Sequence, residues 1–153
     1  MPLLPNTLIS GFTQQFRAAR VTGAQDAAQK FAQIYFDYAV TAASAYGPFI
    51  PNGTEKPRLE ALLAAAFSIP VGAAPVVASA WGAGIQLFWV GAIFGAGAGS
   101  AVPGVPAIIG GLSGALSNPL NTPESAAALM ASAIDTGTRT LLIAGPSGPV
   151  PVL

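Results

Sequence analysis

Six carboxylates are the side chains of this sequence best suited to acid–base or metal chemistry, because the chain contains no histidine and no cysteine. Disulfides, thiolate nucleophiles, structural zinc sites and imidazole catalysis are therefore excluded. Asp26 and Asp37 share one side of a predicted helix, but at about 1.5 Å per residue they lie about 16 Å apart and cannot act as a catalytic pair. Glu55 and Glu60 flank two basic residues, which is typical of a solvated charge cluster. We expect no enzymatic activity, no metal site and no cofactor.

Phosphate-binding loops and nucleophile elbows are missing as well. The sequence has no Gly-x-x-x-x-Gly-Lys and no Gly-x-Ser-x-Gly segment, and Gly95, Gly97 and Gly99 do not have the spacing of a dinucleotide-binding loop. Six basic and six acidic side chains leave no formal net charge. Since nucleic-acid binding needs a positive surface, we expect no nucleic-acid partner.

An aromatic cluster is the remaining candidate for ligand contact. Trp81, Phe88, Trp89 and Phe94 fall within one apolar stretch and could stack on a ligand. The 81–88 and 88–89 spacings favour packing in a core or at a membrane interface instead. We therefore interpret them as packing residues.

The distribution of charge sets the main question about this chain. No charged residue occurs from Ala61 through Pro123, whereas soluble monomers carry charge over their whole surface. This segment must therefore be covered by its own domain, by neighbouring subunits or by lipid. Residues 76–95 are long enough to cross a bilayer as a helix.

Glycines recur every fourth residue within this uncharged segment. Such spacing places small residues on one face of a helix, where a second backbone can approach closely. The glycines concerned are Gly91, Gly95 and Gly99, followed by Gly110 and Gly114. We expect these residues to mark packing or interface positions.

Amphipathic patterns predict a mainly α-helical fold with four to six helices. The clearest helix is predicted between Ala24 and Tyr46, where polar residues recur every three or four positions. Other helices are predicted over 6–20, after Pro57, and after Thr122, which can cap the helix. Two apolar helices joined by a Gly/Pro turn are predicted in the uncharged segment.

The expected organisation is a single domain over 1–153, with no internal repeat visible at a solenoid period. It comprises amphipathic helices in 1–70, an apolar Gly/Ala-rich helical hairpin in 71–120, a helix plus a short strand in 121–144, and an extended arm in 145–153. The proline-rich arm cannot be helical. We expect its residues Pro149, Val150 and Pro151 to lie in a groove of a partner.

Three segments together resemble small uncharacterised structural proteins of bacteriophage virions and phage-tail-like particles. They are Phe31-x-x-x-Tyr35-x-x-Tyr38-Ala39, the Ala/Gly-rich middle with Phe88-Trp89, and the tail with Thr-Arg-Thr-Leu at 138–141 and Gly-Pro-Val-Pro at 148–151. The resemblance covers the general layout of the chain. It implies a virion or tail component assembled in the bacterial cytoplasm, and no functional residue is carried over.

The sequence therefore predicts a structural subunit that packs, in multiple copies, against other subunits of the same particle. The alternative is a small membrane-inserting protein of holin-like or pore-forming type. Against it, the nearest basic residues, Arg58 and Arg139, lie well outside the apolar spans, whereas membrane helices carry basic residues near their ends. A carrier with an apolar groove ranks third, because no polar residues converge on a site.

Overall fold

The helices of the chain match the predicted number and confirm a mainly α-helical fold. The computed structural model describes residues 3–18, 23–69 and 74–153, and it contains six helices. Their bounds are α1 Pro5–Arg17, α2 Ala24–Ala39, α3 Glu55–Phe67, α4 Ala74–Trp89, α5 Val105–Ser117 and α6 Pro123–Thr138. The predicted cap of α6 is present, since the Thr122 side chain accepts a hydrogen bond from the Ser125 backbone N–H at 3.2 Å.

Each pair of helices is followed by two short strands. All six strands form one antiparallel, nearly closed sheet in chain order β1 to β6. Their bounds are β1 Ala43–Ser44, β2 Gly47–Ile50, β3 Ile93–Phe94, β4 Gly97–Ala101, β5 Leu142–Ala144 and β6 Val150–Pro151. Only β5 lies where a strand was predicted.

The order helix–helix–strand–strand occurs three times, so the chain does contain an internal repeat, contrary to the sequence-based expectation. Repeat 1 spans 5–50, repeat 2 spans 55–101 and repeat 3 spans 105–151. The first helices of the repeats begin fifty residues apart, at Pro5, Glu55 and Val105. This regular spacing gives the fold a threefold pseudo-symmetry.

The repeats close into a ring. Each helix packs against its neighbours in the chain, and α1 packs against α6. The ends of the sheet also meet, because the Leu153 N–H donates to the Ala43 carbonyl at 2.9 Å. The Leu3 N–H in turn donates to the Leu153 carbonyl at 2.9 Å, which places residues 3 and 153 side by side.

Much of the uncharged segment is covered by the chain itself. The side chains of Trp81, Phe88, Trp89 and Phe94 are almost fully buried and belong to one core shared by all three repeats. Phe49 from repeat 1 joins them, with its ring centroid 5.0 Å from that of Trp89. A large part of the uncharged segment is therefore buried by its own domain rather than by neighbouring subunits or lipid.

Two predicted helices end earlier than expected. The two apolar helices predicted in 71–120 are present as α4 and α5 and pack against each other, but the connection between them is not a simple Gly/Pro turn. Helix α2 stops at Ala39, and Gly47-Pro48 starts a strand. Helix α4 stops at Trp89, so residues 76–95 are not one helix and a β-hairpin separates α4 from α5. Among the helices that the structure describes, none has both the length and the apolar character needed to cross a membrane.

The C-terminal segment is extended as predicted, and its strand pairs within its own chain. The expected contact of Pro149, Val150 and Pro151 with a partner remains a prediction. Val150 and Pro151 form β6 and pair with β5 of the same chain. The Val152 side chain is buried, and its N–H donates to the Leu141 carbonyl at 3.1 Å. The segment thus completes the sheet.

Candidate functional site: the outer face of the sheet

The two faces of the sheet have different surroundings. Strand side chains alternate between faces, and the register pairs Phe49 with Phe94 on the side of the helices. Both rings are buried there against Trp89. The next pair along the same two strands, Ile50 with Ile93, lies on the opposite side. We call that opposite side the outer face.

The outer face carries no charged side chain. Its members are small or apolar and follow one another through the registered pairs: Ala43, Pro48, Ile50, Ile93, Ala98, Ala101, Leu142, Ala144 and Pro151. Ile50 and Ile93 are 48% and 40% exposed, respectively. A cross-strand pair of large, exposed aliphatic side chains is more typical of a binding surface than of a surface that faces only water.

The residue that directly follows the second helix differs between the repeats. It is an exposed valine, Val40 or Val90, in repeats 1 and 2. In repeat 3 it is Arg139, whose Nε donates to Asp135 Oδ2 at 2.8 Å. In repeat 2 the Arg58 guanidinium donates to the Val90 carbonyl at 3.2 Å, so a charge also lies beside that valine. These positions are therefore free of charge only in repeat 1.

The sheet offers little backbone for adding another strand. Its first and last strands are joined through the Leu153–Ala43 hydrogen bond. At the tips of the hairpins, Tyr46 crosses from repeat 1 to repeat 3, where its Oη donates to the Gly148 carbonyl at 2.5 Å. A partner must therefore contact the outer face through side chains rather than by extending the sheet.

The three central glycines do not share a helix face. Gly91 and Gly95 have φ angles of +81° and +56°, a region that favours glycine, and they lie in the turns around β3. A side chain on Gly95 would collide with the Tyr46 carbonyl, and one on Gly99 would collide with the Trp89 carbonyl. Close backbone approach thus occurs at Gly95 and Gly99, but within the chain and between strands and turns.

Gly110 and Gly114 do share a face of a helix. They lie on α5 with open space above them and line a groove of about 420 Å³ between α5 and α6. Leu129, which is exposed, forms part of the opposite wall. Their predicted interface role remains a prediction.

Trp81, Phe88 and Trp89 pack in the core of the chain rather than on a surface offered to a neighbour. Trp89 also anchors a buried polar network, because its Nε1–H donates to Tyr35 Oη at 2.7 Å. Tyr35 Oη lies 3.1 Å from Thr138 Oγ1, so the network joins α4, α2 and α6. Burial raises the pKa of the Tyr35 phenol well above its usual value.

A second tyrosine lies beside this network. Tyr38 Oη donates to Asp135 Oδ1 at 2.7 Å, and burial is the main reason that the pKa of this phenol is strongly raised. Both tyrosines are therefore neutral hydrogen-bonding groups over the ordinary pH range rather than bases. Among the described residues, no group of three or more carboxylates is placed to hold a metal ion.

Glu55 has a different role from the one that the sequence predicts. Instead of belonging to a solvated charge cluster, it is 1% exposed. Its carboxylate accepts the backbone N–H groups of Asn52 and Gly53, at 3.1 Å and 3.0 Å. It therefore fixes the turn that leads from repeat 1 into repeat 2. The signal available in the sequence was the Asn-Gly turn directly before an acidic helix start.

Comparison with known proteins does not assign this arrangement to a family. No protein-family model, curated protein or solved structure matches the chain. The function must therefore be inferred from the charge and geometry of the outer face itself.

Proposed function

We propose that this chain is a non-enzymatic structural subunit of a larger protein assembly and that the outer face packs against other subunits. The observation that carries this proposal is the uncharged outer face with its exposed Ile50–Ile93 pair. The virion or tail-like particle implied by the sequence resemblance is the class of assembly that we propose, with multiple copies per particle. Assembly in the bacterial cytoplasm belongs to the same proposal.

The energetics favour a protein partner at this face. Burying a fully exposed isoleucine side chain contributes about 1.5–3 kcal/mol, so the two half-exposed isoleucines together are expected to supply roughly the contribution of one such residue. Proline and alanine around them add contact area with little loss of side-chain entropy. A nucleic acid or a charged lipid surface would find no charge to pair with on the strands.

The membrane alternative has less support. It depends on glycine-spaced helices in lipid, whereas Gly91, Gly95 and Gly99 lie in turns and strands. Among the helices that the structure describes, the longest have 16 residues, whereas a helix that crosses a bilayer needs about 20.

The test introduces charge into the outer face. In Ile50→Lys/Ile93→Lys, both substitutions lie at exposed positions, so the fold should survive. We expect the wild-type chain to sediment as an oligomer and the double variant as a monomer with unchanged helical circular dichroism. Leu120→Lys is the matched control, because Leu120 is 88% exposed and lies in the α5–α6 connection, away from the sheet. An oligomer that persists in the double variant would refute this interface, and a monomeric wild type would refute self-assembly.

A further inference from the structure

The end of the ring remote from the sheet contains an apolar pocket. Helices α2, α4 and α6 run into the sheet by their C-terminal ends, so their first turns lie at the opposite end together with the last turns of α1, α3 and α5. Between these turns lies a cavity of about 280 Å³, which we call the axial pocket. Its walls include side chains from all six helices: Phe16, Phe31, Phe67, Trp81, Leu116 and Met130.

These six residues form two sets of equivalent positions. Phe16, Phe67 and Leu116 each lie within a residue of the end of the first helix of their repeat. In the second helices, Phe31, Trp81 and Met130 each occupy the eighth position. The pocket is therefore formed where the three repeats meet around the pseudo-threefold axis.

Four of the eight described side chains that line the axial pocket are aromatic, and none of the eight is charged. The Phe31 ring packs against Phe67 and Trp81 with centroid distances of 5.8 and 6.2 Å and inclined planes. Phe16 and Phe67 are only partly buried, so the pocket exposes aromatic surface. Concave apolar surface of this kind is typical of small-molecule sites.

Two basic side chains lie near this end of the ring in the part of the chain that the structure describes, and both are paired. Arg17, next to Phe16, forms an ion pair of 2.5 Å with Glu124. Lys30, next to Phe31, forms an ion pair of 2.7 Å with Asp26. A fatty acid or a phosphorylated ligand would have to compete with a carboxylate for either of these two side chains. Among the described residues, this arrangement favours an uncharged ligand.

We propose that the axial pocket binds an uncharged aromatic molecule that has either a single ring or two fused rings. Its volume is nearly twice that of the cavity of about 150 Å³ that is known to stay dry and bind benzene. Aromatic walls add edge-to-face contacts that an aliphatic chain would not gain. This site is separate from the outer face, so neither proposal depends on the other.

The direct test uses naphthalene as the probe and the wild-type chain. Methionine occurs at positions 1 and 130 only, so selective labelling with ¹³C-methyl methionine gives two signals, one of which is Met130 in the pocket. We expect naphthalene to shift the Met130 signal in a saturable way and to show intermolecular NOEs to its methyl group. Naphthalene-1-sulfonate, which adds a charge to the same rings, should leave the signal unchanged.

A pair of variants locates the binding. Val77 lines the pocket, whereas Val76, its neighbour on α4, is exposed. Val77→Phe should fill the pocket and weaken naphthalene binding at least tenfold, and Val76→Phe should bind as the wild type does. If naphthalene leaves Met130 unaffected up to its solubility limit, or if it binds a folded Val77→Phe chain with undiminished affinity, the proposal is wrong. Equal binding of the sulfonate would overturn the preference for an uncharged ligand.

Discussion

At Gly95 the backbone adopts a φ angle of +56°, and the Tyr46 carbonyl occupies the space where a side chain would begin. A residue with a Cβ atom would be strained in that conformation even without a neighbour. Gly110 differs in both respects, because it lies within helix α5 and has open space above it. The same residue type in the same spacing pattern therefore has opposite energetic roles at the two positions.

Alanine substitutions should separate these two roles. We expect Gly95→Ala to lower the free energy of unfolding by about 2 kcal/mol or more, from backbone strain and the collision with Tyr46. Gly110→Ala should raise it by up to about 1 kcal/mol, because alanine is the better helix former. Urea denaturation followed by circular dichroism measures both values. If Gly95→Ala raised the free energy of unfolding as much as Gly110→Ala does, the Gly95 turn would be shown to adapt to a side chain.

Helices were easier to predict from the sequence than strands, for a physical reason. Polar residues repeating every three or four positions identify α2, and Thr122 with Pro123 marks the start of α6. Strands such as β3 and β4 have only two and five residues, and β4 consists of Gly, Ala and Ser. Such residues show no clear alternation of polarity, so the outer face could not be recognised before the pairing was known.

The helices α2, α4 and α6 are joined by the network of Trp89, Tyr35 and Thr138, and α2 and α6 also by Tyr38 and Asp135. The phenols stay protonated in the folded state because their pKa values are raised, mainly by burial. In the unfolded chain they ionise near the ordinary pKa of about 10. The contribution of the two protonated phenols to the free energy of unfolding is therefore fully present below pH 10. It is lost progressively as the pH rises above that value.

Alkaline unfolding provides the measurement. With no histidine and no cysteine, the free energy of unfolding should be nearly constant between about pH 6 and 9. Above about pH 10 it should fall by about 1.4 kcal/mol per pH unit for each of the two tyrosines. Tyr38→Phe should halve this slope. A slope that Tyr38→Phe leaves unchanged would show that Tyr38 ionises alike in both states.

The internal repeat is hidden in the sequence because equivalent residues share one interior. At corresponding positions, the three second helices carry Ala39, Trp89 and Thr138, all of which are buried. A large side chain from one repeat occupies space that the others leave free, so close packing favours different residues at each position. Corresponding positions in the three repeats are therefore buried alike, although they carry different residue types.

A circular permutant tests whether the molecule as a whole is a closed ring. Residues 3 and 153 are joined by a hydrogen bond of 2.9 Å, so a short glycine linker can connect these two residues directly. New ends between Pro51 and Asn52, both exposed, leave every repeat intact. We expect this permutant to fold with wild-type helical content and to melt within a few degrees of the parent.

The control permutant, opened between Gly82 and Ala83 in the middle of α4, should not fold, because it interrupts a core helix. Failure of the first permutant would mean that the ring depends on the present connection between repeats 1 and 2 and not on closure between repeats 3 and 1.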